Sequence, residues 1–137
     1  MFSWIYHNYK NHKGFTLFEL LAVMVILSVL ASIAVPSYKR SQIKARESAL
    51  AEDLYQMRRS IDAYFADHGT YPDNLDQLTQ NKYLRGIPRD PFTQKDDTWN
   101  CLPPEPADNG QLAEGGCFDV RSGSDLIGMN DIPYQEW

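Results

Sequence analysis

Residues 14–36 read GFTLFELLAVMVILSVLASIAVP, and the fold turns on this stretch. From Phe15 to Val35 only Thr16, Glu19, Ser28 and Ser32 interrupt the apolar residues. As a helix rising about 1.5 Å per residue, the run spans roughly 31 Å, the thickness of one bilayer core. Glu19 is the anomaly. A carboxylate near the bilayer centre costs about 2.5–3.5 kcal/mol on insertion scales, whereas Glu19 lies about one helical turn from the start of the run and can reach the interface. The sequence leaves three readings open: a snorkelling surface group, a carboxylate favoured by a helix amino end, or half of an ion pair that a neighbouring molecule completes.

Upstream, MFSWIYHNYKNHKG carries Lys10 and Lys13 and no acid before giving way to the apolar run, so residues 1–14 read as a basic leader and are left out of the fold. A secretory signal has a shorter apolar core followed by cleavage. Here the run is long and acid-bearing, although Ser32-Ile33-Ala34 offers a small-x-small cleavage site. Counting lysine and arginine places Lys10 and Lys13 on one side and Lys39, Arg40, Lys44 and Arg46 on the other, which by itself puts the following domain in the cytoplasm.

After Pro36 the pattern turns amphipathic. Leu50, Leu54, Met57, Ile61 and Tyr64 recur at helical spacing between charged residues, which predicts that one helix continues over 36–68 with this stripe as its core face. Pro36 lacks an amide donor and its ring crowds the preceding turn, so it marks an expected kink. Gly69 supplies a stop and Pro72 prevents resumption. Residues 69–137 then form a small head. Asn74 and Gln77 read as a helix cap, with Leu75, Leu78 and Leu84 on one face of a short helix near Leu75–Gln80. Two strands are expected at Thr98–Leu102 and Gly116–Arg121. Their pairing as a hairpin would bring Cys101 and Cys117 within bonding reach, and closing a loop of about 15 residues is worth roughly 3 kcal/mol in the chain-entropy model.

The chain has 137 residues and a net charge of −5, with no basic stripe outside the membrane flank, so nucleic acid is excluded as a partner class. Outside the leader only His68 remains of the histidines, and no nucleophile, phosphate loop or zinc spacing is visible, so no enzyme is read here.

The segment KGFTLFELLAVMVILSVLASIAVP resembles the processing and assembly segment of type IV pilins and of the pseudopilins of type II secretion. The resemblance implies cleavage by prepilin peptidase between Gly14 and Phe15, N-methylation of Phe15, and a head outside the cytoplasm, against the charge count. It implies that Glu19 neutralises the new amine of Phe15 during assembly. Residues 49–78, YLRGIPRDPFT and FDVRSGSDLIGMNDIPYQEW look like the major pseudopilin, whereas Asn100–Cys117 departs from that pattern. The tail is rich in oxygen donors, and Ser122, Ser124, Asp125 and Asp131 could surround calcium; the resemblance implies such a site in this loop. The expectation is an α+β, pilin-like subunit of the inner membrane, a helical homopolymer working with minor pseudopilins, an inner-membrane assembly platform and secreted cargo. A type IV pilus subunit or minor pilin, and a single-span anchored domain that never polymerises, are the alternatives.

Overall fold

The computed structural model of the chain describes residues 14–106, 110 and 113–137. The expected leader therefore lies outside the described residues, apart from Gly14. Helix α1 runs Leu17–His68, α2 runs Leu75–Gln80, strands β1 and β2 run Asn100–Leu102 and Asp119–Arg121, and a 3-10 turn covers Tyr134–Glu136. The layout is α+β and pilin-like, and the chain divides into two compact units, Met1–Lys39 and Arg40–Trp137.

In the first unit every described residue is exposed, the apolar side chains of the 15–35 run included. A helix that is apolar all round has no polar face to give to water, which suits a lipid environment. Its hydroxyls are turned inward: Ser28 Oγ donates to Met24 O at 2.7 Å, Ser32 Oγ to Val29 O at 2.7 Å and Ser37 Oγ to Ile33 O at 3.3 Å. Pro36 sits inside α1, and the helix continues through it without a break.

The second unit is built on the predicted stripe. Leu50, Leu54, Met57 and Ile61 are buried, with Tyr64 partly buried against them. The helix ends where expected, Gly69 adopting φ +73° while its amide donates to Phe65 O at 2.8 Å. Asn74 Oδ1 accepts from Gln77 N at 3.1 Å, the predicted cap, and Leu75 and Leu78 of α2 enter the core. Leu84 lies beyond α2 and reaches the same core from the next turn, its amide donating to Leu78 O at 3.1 Å. Trp99, Cys117, Val120 and Tyr134 complete the buried cluster.

β1 and β2 pair antiparallel, Cys101 opposite Val120. Both strands are shorter than the sequence predicts. The amides of Gly116 and Cys117 donate to Pro72 O at 3.1 and 2.9 Å and are thereby taken out of the ladder, while Tyr71 N donates to Glu114 O. At the other end Gly123 passes so close to Thr98 that a Cβ there would lie 2.1 Å from the Thr98 carbonyl oxygen, so the pair gives way to backbone crowding. Cys101 and Cys117 are joined in a disulfide with Cα atoms 4.9 Å apart. It ties β1 to the residues just before β2.

Candidate functional site

Glu19 begins from Thr16. Thr16 N donates to Glu19 Oε2 at 2.9 Å, Thr16 Oγ1 donates to the same oxygen at 3.0 Å, and Glu19 N donates back to Thr16 Oγ1 at 3.2 Å. This is a capping box, in which the residue just before the helix and the residue three positions on satisfy each other's otherwise orphaned amides. The pattern Thr-x-x-Glu in the sequence carries the signal for this cap, which the three readings of Glu19 do not use. Of the three readings of Glu19, a helix-end carboxylate is therefore realised within the single chain. The cap also holds the carboxylate at the residue next to Phe15, on the carboxyl side of the expected Gly14–Phe15 cleavage. Among the described residues both hydrogen bonds to this carboxylate go to Oε2, which leaves Oε1 to accept from a positive group.

In the second unit, Glu47 of α1 fastens the C-terminal segment. Its Oε1 accepts from Met129 N at 2.6 Å and from Tyr134 Oη at 3.0 Å. Tyr134 is buried, stacked on Phe92 with ring centres 4.0 Å apart and edge-on to Trp137. Burial, reinforced by the Glu47 carboxylate, pushes its phenol up to about 12 from an ordinary value of 10.0. A raised folded value favours the neutral phenol in the folded state. Its contribution to stability is thus complete below pH 10 and is lost as pH rises toward 12. Chemical denaturation between pH 9 and 12 is expected to show that loss, and Tyr134→Phe to flatten it; a variant as alkali-sensitive as the parent chain would remove Tyr134 as the cause.

Arg58 makes a second fastening. Its guanidinium donates to Asp119 Oδ1 at 2.7 Å, Val120 O at 3.1 Å and Trp137 O at 2.7 Å. Neither Glu47 nor Arg58 was singled out from the sequence, because an isolated charge on an amphipathic helix reads as a solvated face until its partners, more than sixty residues away, are known.

The expected calcium ligands fit unevenly. Ser122 is buried, with Oγ donating to the buried Asp90 carboxylate at 2.5 Å and accepting from Ser124 N at 3.1 Å. Ser124 is buried too, and its Oγ accepts from Leu126 N at 3.3 Å. Both hydroxyls are engaged within the fold, Ser122 with Asp90 and the Ser124 amide and Ser124 with the Leu126 amide. Asp125 and Asp131 are exposed, Asp125 Oδ1 accepting from Gln135 Nε2 at 2.6 Å. Among the described residues, no three carboxylate, histidine or cysteine side chains gather as a metal site.

Residues 9–35 match the prokaryotic N-terminal methylation motif. No curated protein and no solved structure is similar enough to this chain to count as a match. The motif supports a pilin-like protein, a structural rather than an enzymatic class, and implies processing by prepilin peptidase and pilin-like polymerisation. Together with the one helix long and apolar enough to cross a bilayer among the described residues, it suggests membrane anchoring.

Proposed function

We propose that this chain is the major pseudopilin of a type II secretion system. It is stored in the inner membrane as a single span with its head in the periplasm, then drawn into a short filament that drives folded proteins out of the cell. The observation that carries the reading is the methylation motif over 9–35 joined to an α+β head. In this reading residues 1–14 are removed, Phe15 is methylated, residues 15–35 form the membrane and filament-core half of the helix, residues 36–68 the amphipathic half, and Pro36 lies at their junction. Prepilin peptidase, minor pseudopilins and the assembly platform are the partners, with secreted cargo beyond them. The mature amino terminus is expected, by mass, to be methylated Phe15. Retained Met1 would make the chain a non-polymerising anchor, and a start near Val35 a secreted domain. A deletion strain is expected to lose secretion while keeping surface pili; lost pili with intact secretion would assign the chain to a pilus instead.

Calcium on the C-terminal loop is part of the same proposal, with Asp125, Asp131 and backbone carbonyls as its donors, since a hard cation takes oxygen ligands. The outcome expected is a melting temperature that rises with millimolar calcium and falls back with a chelator. A temperature indifferent to both would remove the ion from the proposal.

A further inference from the structure

The C-terminal segment closes on an apolar tip. Gly128 N donates to Ile132 O at 2.9 Å, Asp131 N to Gly128 O at 3.0 Å and Tyr134 N to Leu126 O at 3.1 Å, and Ile127 bridges Pro133. Glu47 holds this tip to α1. A Cβ on Gly128 would lie 3.2 Å from Glu47 Oε1 and 3.0 Å from the Trp137 ring, so the turn is pressed close against both. Its large side chains nevertheless face solvent: Leu126 is 58 %, Ile127 64 %, Met129 52 % and Ile132 43 % exposed. Four apolar residues held in order and left uncovered on one turn mark an interaction surface.

What covers the tip is indicated by the helix that holds it. From Leu20 to Arg46 the sequence has no acid, and Lys39, Arg40, Lys44 and Arg46 all fall between the apolar run and Glu47. Arg40, Lys44 and Arg46 are exposed. Arg40, Ile43 and Lys44 stand seven, four and three positions before Glu47 and therefore share its face of α1. Ile43 is exposed as well, which extends the apolar surface toward the start of the second unit. From Arg40 to Glu47 is about 10 Å of helix. Only five positions separate Val35 from Arg40, at most roughly 18 Å of chain, so connectivity alone keeps these cations within reach of lipid headgroups. Asp125 and Asp131, the acids of the tip, do not favour an anionic surface. The electrostatic part of such a contact therefore belongs to α1, and the tip contributes its apolar side chains.

We infer that the tip is a second membrane contact. In the membrane-stored subunit Leu126, Ile127, Met129 and Ile132 rest among the lipid headgroups, while Arg40, Lys44 and Arg46 meet the phosphates. Apolar side chains beside basic ones are the combination by which a protein surface lies on a bilayer without crossing it. The contact seats the head while the subunit waits in the membrane and is given up when the subunit leaves, so extraction uncovers the tip. This inference rests on the membrane-stored subunit proposed above and names the surface by which its head meets the lipid.

The test uses the full chain, reconstituted sparsely in vesicles of phosphatidylethanolamine and phosphatidylglycerol. Because Cys101 and Cys117 are paired, a fluorophore can be placed on Ile127→Cys or, for comparison, on Tyr55→Cys, an exposed position on α1 beyond Glu47. Nitroxide lipids labelled near the headgroup are expected to quench the dye several-fold more at 127 than at 55. Leu126→Ser with Ile132→Ser is expected to bring position 127 down to the level of 55 with the melting temperature of the head unchanged, and Leu126→Met with Ile132→Met to leave the quenching in place. Replacing Arg40, Lys44 and Arg46 by Gln is expected to lower the docked-to-free ratio about fivefold for each charge in these vesicles, and to leave it unchanged in phosphatidylcholine. Equal quenching at 127 and 55 would overturn the inference, as would quenching at 127 that survives the serine substitutions. A ratio indifferent to the basic residues would overturn the assignment of the phosphates to α1. Quenching or crosslinking at 127 that grows with the density of chains and disappears on dilution with lipid would assign the tip to a second copy and overturn the inference. A chain that alkaline carbonate washes from the vesicles would overturn the membrane-stored subunit itself, whereas a chain that stays with position 127 in water would overturn this inference alone.

Discussion

A chain carrying Glu19→Ala is expected to be cut after Gly14 and to enter the membrane normally, yet to be missing from filaments. Removing the side chain deletes two interactions at once. The first is the pair of hydrogen bonds that the Glu19 carboxylate accepts from Thr16, and the loss of a cap costs about 0.5–2 kcal/mol. The second is the proposed neutralisation of the Phe15 amine in a bundle almost free of water, where leaving either charge alone is expensive. Glu19→Gln separates them, because glutamine can still reach back to the Thr16 amide but brings no charge. If the ion pair governs incorporation, glutamine fails as alanine does, and immunoblots of sheared filaments contain neither variant. Filaments populated by Glu19→Gln at the parent level would leave the cap as the whole role of Glu19, and filaments populated by Glu19→Ala would leave it none.

Loss of the disulfide is expected to be the largest single blow to the head. The bond joins residues 16 apart in sequence, and opening a loop of that length removes about 3 kcal/mol in the chain-entropy model. For a unit of this size the loss corresponds to a fall in Tm on the order of 15 °C. The effect is large because the sheet it secures has only two strands of three residues each, which do not stand alone in water. Scanning calorimetry of the full chain in detergent, with Cys101→Ser and Cys117→Ser together, measures it. A change below about 3 °C would mean that the Pro72 and Leu102 hydrogen bonds hold the segment unaided.

How much of this was legible in the sequence depended on the range of the interactions. The course of α1, its stop at Gly69 and the Asn74 cap of α2 were readable because each is decided by residues within one or two helical turns. The core stripe Leu50–Ile61 was readable for the same reason, and so was the proximity of Cys101 to Cys117. The ends of the strands were not. Whether the Gly116 and Cys117 amides pair across the sheet or with Pro72 O is settled by packing between segments more than forty residues apart. The same holds for Glu47 and Arg58, whose importance lies wholly in distant partners. At the candidate site the error was of another kind. Thr16-x-x-Glu19 spells its local role, but the cost of a charge in lipid draws attention away from the hydroxyl three residues before it. The hydrogen bonds of Ser122 and Ser124 were not legible either, because an oxygen-rich loop has the same composition whether its oxygens face a cation, a carboxylate or an amide.

The fastenings at Glu47 and Arg58 bear on how such a subunit withstands traction. They grip α1 at two points about 16 Å apart along its axis, and between them they engage the C-terminal tip, β2 and the final residue. A pull applied along the helix is then carried by several hydrogen bonds loaded side by side in shear, instead of being peeled open one after another. For the filament subunit proposed above, this means that the head would travel with the helix as cargo on a rod, keeping its fold while the rod is drawn from the membrane.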